Sequence, residues 1–268
     1  MNSPDQPLSS LQNDRIKQLI KIQQRARSRK QTGLFCIEGV REIERALAGG
    51  YRVEQYFRSS DSVDLGIENL QLKADLEEKT YWVAPKIMEQ ISYRESSNII
   101  ALTEQKSHNL ELFKDLSSGL FLVVESIEKP GNLGALLRTA GGIGLDGVCI
   151  VNRQTDIYHP NCIRNSMGAV FQIPVGIGSL EEFLSFGKSI DLQLIGAALS
   201  PKAVHLNQVK FNRPAAIVVG NEAQGLSPEL LAQCHQVAQI PMFNHIDSLN
   251  VSVAAGMFMY QALQDSSH

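Results

Sequence analysis

Short apolar runs alternate along this chain with stretches in which apolar residues recur every three or four positions, the signature of strands alternating with amphipathic helices. Residues 1–13 are polar and read as a disordered lead. Asp14 is placed to cap a helix running to about Arg29, with Ile16, Leu19, Ile20 and Ile22 as its apolar stripe. Leu34 to Ile37 then reads as a strand, Val40 to Ala48 as a helix closed by Gly49-Gly50, and Val53 to Phe57 as a second strand. A helical stretch from Ile67 to Leu76, a strand from Thr80 to Ala84, a helix from Pro85 to Ile91 and a strand from Ser97 to Thr103 complete a small α/β layer structure over 14–106. The polar stretch 107–118 reads as a linker.

A second series occupies 119–268. Strands are expected at Leu120 to Val124, Val148 to Val151, Gln172 to Val175, Leu192 to Ala197, Ala215 to Val219 and Val237 to Ile240. Between them lie a helix carrying Ala135 to Arg138 and stopped by Gly141-Gly142, one from Asn161 to Ala169, one from Leu180 to Lys188, and one from Pro228 to Cys234. A buried, small-residue helix from Val251 to Tyr260 ends the series. In an open α/β sheet, loops at strand ends are where ligands bind. Two such loops, after Val219 and after Ile240, are rich in glycine and hydrogen-bonding side chains.

Composition narrows the picture only a little. A net charge of −3 with 20% charged residues describes an ordinary soluble protein. The charge is unevenly placed, however: Arg15, Lys17, Lys21, Arg25, Arg27, Arg29 and Lys30 are accompanied only by Asp14 between Leu11 and Gln31. Such a local patch binds phosphates whatever the net charge, although a solvated helix face accounts for the same residues. Cys36, Cys149, Cys162 and Cys234 lack metal-ligand spacing, so no metal site and no disulfide framework is expected. With no apolar run of membrane-spanning length and no secretory leader, the expected location is the cytoplasm.

The segment KPGNLGALLRTAGGIG resembles a dinucleotide fingerprint at first sight, but no G-x-G-x-x-G stands at the turn and Val151-Asn152-Arg153 offers no acidic residue after the next strand. What it does offer is Asn132 at a helix start and Arg138 about a turn and a half on. That guanidinium suits a phosphate, and it equally suits a solvent-facing helix surface. Gly220-Asn221-Glu222 and Ser248-Leu249-Asn250 each have a structural account too, as turn glycines and helix caps.

Taken together, NLGALLRTA, IVVGNEAQGLSPEL and IPMFNHIDSLNVSVAAG resemble motifs one, two and three of the SpoU/TrmH family of RNA ribose 2′-O-methyltransferases. Arg164-x-Ser166-x-Gly168-Ala169 is similar to the segment that the family carries between motifs one and two. Residues 14–106 resemble the ribosomal-protein-like substrate-binding domain that many members place before the catalytic one. The resemblance implies a parallel-sheet α/β catalytic domain of the SPOUT type, with a deep C-terminal trefoil knot and an active site at a homodimer interface. It implies S-adenosylmethionine as cofactor, met by Gly220, Ile240 and Leu249 with Leu199 and Met242 as neighbours. Arg138 takes the central catalytic role, with Asn132, Glu222, Ser248 and Asn250 organising the site. Because a guanidinium stays protonated, Arg138 is expected to hold a phosphate, or to act through a relay of substrate groups, rather than as a free base.

The substrate implied is structured RNA, ribosomal or transfer, contacted by Arg15, Lys17, Lys21, Arg25, Arg27, Arg29, Lys30 and Arg164. Phe243-Asn244-His245 departs from the family pattern, and His245 is read as a rim residue rather than a catalytic one. Two other functions remain open to the residues themselves. One is a non-catalytic RNA-binding or ribosome-assembly protein of the same fold, against which the intact Asn132, Arg138, Glu222, Ser248 and Asn250 argue. The other is a nucleotide-dependent oxidoreductase or other Rossmann-like enzyme, which the missing fingerprint and acidic residue disfavour.

Overall fold

The computed structural model describes residues 1–268 apart from 63–64, 68, 94–96, 117, 245–246 and 266–268. Its internal contacts form two units: residues 1–106 with 158–172, and residues 107–157 with 173–268.

The first unit begins with α1 (Asp14–Gln24), α2 (Ala26–Thr32), β1 (Leu34–Glu38), α3 (Val40–Ala48) and β2 (Val53–Ser59). It continues with α4 (Leu70–Lys79), β3 (Thr80–Val83), α5 (Pro85–Ile91) and β4 (Ile99–Glu104). The sheet runs β1-β4-β2-β3, with β4 antiparallel to both neighbours and β3 parallel to β2. Ile16, Leu19 and Ile22 of α1 and Ile87, Met88 and Ile91 of α5 pack on Cys36, Phe57, Ile100 and Leu102.

Three features of this unit differ from the sequence pattern. The single basic helix is two helices, because Arg25 is extended (φ −121°, ψ 116°) and Asn13, not Asp14, caps α1 by accepting from Arg15 N–H at 3.0 Å. Arg29 accounts for the break. Its guanidinium donates to the carbonyls of Ile22 and Gln23, both at 2.9 Å, which an unbroken helix would have used for its own ladder. Residues 2–8, expected as part of a disordered lead, follow the open edge of β3: Leu8 N–H donates to Trp82 O at 2.8 Å and Ala84 N–H to Leu8 O at 3.0 Å. The Asn2 amide imitates a strand neighbour, donating to Trp82 O and accepting from Trp82 N–H, so the edge is covered. The helix expected from Ile67 lies at Leu70–Lys79, where the Asn69 side chain caps it by accepting from Leu72 N–H.

The second unit opens with β5 (Leu120–Glu125), α6 (Pro130–Ile143) and β6 (Gly147–Val151). The chain then supplies α7 (Pro160–Ser166) to the first unit. It returns as β7 (Val175–Gly178), α8 (Leu180–Ser189), β8 (Gln193–Ala197), a two-residue β9 (Val204–His205), β10 (Ala215–Val219), α9 (Pro228–Gln233), β11 (Gln236–Gln239) and α10 (Val251–Asp265). The sheet is wholly parallel in the order β7-β6-β5-β10-β8-β11-β9. Central β5 and β10 are buried along their whole length, as parallel strands covered on both faces must be.

Helix α6 runs through Gly141-Gly142, which the sequence suggests as its stop, and ends at Gly144 with φ +83°. Interior glycine costs a helix only about 1 kcal/mol, and buried Leu133, Leu136, Leu137 and Ala140 outweigh that. Strand β7 lies three residues later than expected, since Pro174 has no N–H for a ladder. The stretch 107–118 is not bare linker: Leu110 and Phe113 are buried, and glycines at 147 and 176 leave room for the Phe113 ring. Among the described residues no helix is long and apolar enough to cross a membrane.

Candidate active site

In the second unit the direction of strand addition reverses beside β5, where β10 lies between β5 and β8. The loops leaving the C-terminal ends of β5 and β10 therefore meet, as ligand-binding loops do at a switch point. They are stitched together by side chains. Asn221 Nδ2 donates to Ser126 O and to Glu128 Oε1, both at 3.1 Å, and Glu125 at the end of β5 accepts from Ser227 N–H at 2.8 Å and from its hydroxyl at 2.6 Å. Glu125 is buried, and nothing in the sequence pattern marks it beyond a carboxylate ending an otherwise apolar strand.

The loop after β10 turns on itself between Asn221 and Gly225, which exchange both backbone hydrogen bonds at 2.9 Å. Gly220 sits inside this turn. A Cβ there would lie 2.2 Å from the backbone of Gly225, so only glycine fits. Glu222 follows and gathers three donors: Asn132 Nδ2 at 2.8 Å and the N–H groups of Glu128 and Lys129 at 3.3 Å. Partial burial pushes the Glu222 carboxyl upward in pKa, but these hydrogen bonds prevail and hold it below the usual carboxylate range. The third loop joins through Asn250, whose Nδ2 donates to Asn132 Oδ1 at 3.1 Å while its own Oδ1 accepts from Ser252 N–H at the start of α10.

Glu222, Asn132 and Asn250 thus form one chain across three loops. They border a cleft of about 660 Å³ that is also lined by Leu199, Gly220, Ile240, Met242, Ser248 and Leu249. The cleft pairs an apolar wall with a polar lip, the usual composition of a cofactor site. The expected cofactor residues, with Asn132, Glu222, Ser248 and Asn250, therefore line one cleft, and Lys129, Asn221, Gln224, Gln239 and Asp247 line it with them.

Arg138 is not on this lining. It stands exposed on α6, six residues beyond Asn132, which is about 120° around the helix and about 9 Å along it. Helix α10 packs on α6 closely enough that Gly256 lies against Thr139, and α10 leaves Val253, Met257 and Tyr260 exposed along one face.

Among the basic residues of the first unit, Lys21, Arg25, Arg27 and Lys30 are exposed. Arg15 lies over the Tyr81 ring at 4.3 Å and Lys17 lies 3.7 Å from Asp14. Arg29 is 1% exposed and is spent on backbone carbonyls, so the structure assigns it to the fold rather than to an open basic face. Arg164 is exposed on α7, and His245 lies outside the described residues.

Comparison with known proteins gives a consistent result. Residues 119–260 match the model described as the SpoU rRNA Methylase family, and residues 13–101 match the MRM3-like substrate binding domain. An uncharacterized tRNA/rRNA methyltransferase of Synechocystis is 32% identical over 95% of this chain and 92% of its own. A crystal structure of an RNA 2′-O ribose methyltransferase superposes with a TM-score of 0.84 at 34% identity, covering 98% of this chain and all of that one. An AdoMet-bound rRNA methyltransferase from Sinorhizobium meliloti shares the fold with a TM-score of 0.85 at 24% identity, covering 97% of each chain.

Proposed function

This chain belongs to the SpoU rRNA methylase family and is an RNA ribose 2′-O-methyltransferase, and we propose that its cleft holds S-adenosylmethionine while Arg138, Asn132, Glu222, Ser248 and Asn250 carry the transfer. The observation that carries this reading is the hydrogen-bonded chain Glu222-Asn132-Asn250, which ties three loops around one cleft. The residues fit the cofactor: Leu199, Ile240, Met242 and Leu249 offer apolar faces for a purine, and the Gly220 turn offers backbone at a place where no side chain fits.

When bound, S-adenosylmethionine would supply a methyl group on a positively charged sulfur: the S–CH3 bond would break as the ribose 2′-oxygen bonds the carbon, the sulfur would keep the electron pair as S-adenosylhomocysteine, and the 2′-hydroxyl proton would pass to solvent. The protein contributes alignment and charge. Glu222, kept ionised, orders the Asn132 amide, and Asn132 in turn orders Asn250 at the lip. Ser248 adds a hydroxyl on the same lip. Arg138, permanently cationic, orients a phosphate of the RNA so that the 2′-oxygen faces the methyl group.

Since Arg138 lies off the lining of its own cleft, the reading makes the protein a homodimer in which Arg138 of one protomer serves the other's site. The exposed apolar face of α10, seated on the helix that carries Arg138, supports that interface. The family resemblance adds a C-terminal trefoil knot around the same cleft. Residues 14–106 act as the RNA-selecting domain and 119–268 as the catalytic one, with Arg15, Lys17, Lys21, Arg25, Arg27, Lys30 and Arg164 contacting ribosomal or transfer RNA. The cytoplasm, whose reducing conditions suit four free cysteines, is the compartment.

The test is transfer of labelled methyl from S-adenosylmethionine to RNA from cells lacking this gene, with Arg138→Ala in parallel. The wild type is expected to label ribose 2′-O-methyl nucleotides. Arg138→Ala is expected to lose about 10²-fold or more in rate while keeping cofactor affinity. Cofactor binding without transfer to any RNA would overturn the reading.

A further inference from the structure

The first unit holds a polar construction of its own. A small hollow there is lined by Gln23, Cys36, Glu38, Tyr93, Ile163 and Arg164. At its base Glu38, 8% exposed at the end of β1, accepts at 2.6 Å both from the Gln23 side-chain amide and from the Tyr93 N–H. Gln23 is itself fixed from behind, because its carbonyl accepts from buried Arg29. A buried network with several mutually dependent bonds is a stiff support.

What it supports is open. Tyr93 is 46% exposed, and among the described residues neither its hydroxyl nor the Arg164 guanidinium has a protein partner. The enclosed space is only about 10 Å³, room for a single water, so a larger ligand cannot enter it and would lie outside, on a rim to which Tyr93 and Arg164 contribute. Exposed Lys21, Arg25 and Arg27 lie within four residues of Gln23 along the chain and add positive charge to the surface of this unit.

We propose that Tyr93 and Arg164 read one unstacked nucleotide of the RNA, the ring stacking on the base and the guanidinium holding an adjacent phosphate. The proposal rests on the RNA-methyltransferase reading and adds where, and in what form, the RNA is gripped. An aromatic platform beside a cation suits single-stranded RNA, whose bases are free to stack, and has nothing to stack on in a duplex. Arg164 comes from the second half of the chain and lies outside residues 13–101, so the reader exists only because 158–172 fold into the first unit.

The experiment titrates the full-length protein with a fluorescent short single-stranded RNA and with a blunt RNA duplex across a salt series. The variants are Tyr93→Ala, Tyr93→Phe and Arg164→Gln, and S-adenosylmethionine affinity is measured on each to certify the fold. Tyr93→Ala is expected to weaken single-strand binding about tenfold with an unchanged salt slope and an unchanged duplex affinity, and Tyr93→Phe to restore it. Arg164→Gln is expected to lower the slope of log K against log salt by about 0.7, one phosphate contact. Single-strand binding by Tyr93→Ala equal to wild type, or an equal loss on strand and duplex, overturns the proposal alone. If the wild type binds neither RNA at low salt, the RNA reading itself falls with it.

Discussion

Two carboxylates in this molecule are built alike and used oppositely. Glu222 collects an Asn132 amide and two backbone N–H groups at the lip of the cleft, and Glu38 collects a Gln23 amide and one backbone N–H inside the first unit. The difference is exposure: Glu222 is half-buried beside open space, whereas Glu38 is sealed. A carboxylate with satisfied neighbours is a joint, and its surroundings decide whether the joint itself borders the ligand space or props from beneath the side chains that do.

The sharpest way to break this comparison is to remove each carboxylate and measure methyl transfer. Glu222→Ala is expected to lower kcat/KM by about 10² to 10³, the cost of losing preorganised polar groups at a reacting centre. Glu38→Ala is expected to change kcat by less than about threefold, raising the RNA KM instead. Equal losses in kcat would show that the two joints do the same work.

The next effect is smaller and confined to the open joint. Gly220→Ala places a methyl group against the Gly225 backbone, and displacing that turn is expected to weaken S-adenosylmethionine binding about 10- to 100-fold by calorimetry. A variant that binds as well as wild type would mean that the cofactor does not touch this turn.

Stability should reverse the order. Glu38→Ala strands the buried Gln23 amide and a partly buried Tyr93 N–H and is expected to cost about 1–3 kcal/mol in denaturant unfolding, while Glu222→Ala, whose partners reach water, should cost less than about 1 kcal/mol. The weakest effect is with pH. Because the Glu222 carboxyl titrates below its unfolded value, its contribution is complete above the ordinary carboxylate range and is lost as pH falls through the depressed value. Cofactor affinity should therefore stay level down through the ordinary carboxylate range and fall only below it, and Glu222→Gln should abolish the acid limb.

How much of this was legible in the sequence depended on whether the cause was local. Helices α3 and α5 and strand β10 fall on the expected residues because glycine and proline punctuate them. The break at Arg25 carries no such mark, since its cause is a guanidinium arriving from the next helix. Gly141-Gly142 misled in the other direction, being a strong local stop overruled by a buried face.

The cleft residues were legible as a set through their family motifs, and the structure gathers all but Arg138 around one space. The buried link from Glu125 to Ser227 and the stitch made by Asn221 were not, because each joins positions about a hundred residues apart through chemistry that reads locally as a strand end or a turn. The partition of 158–172 was equally hidden. It rests on Tyr158 stacking on Phe35 at 4.1 Å and on Phe171 meeting Tyr51 edge-on at 5.0 Å, and no periodicity encodes aromatic contacts across such separations.

That partition sets a schedule for synthesis. A ribosome releases Phe35 and Tyr51 well before Tyr158 and Phe171, and at about 5–20 residues per second the intervening chain takes several seconds to appear. Over that interval the aromatic face of Phe35 and Tyr51 lacks the rings that cover it in the finished fold. An excised fragment ending at 106 would display it permanently.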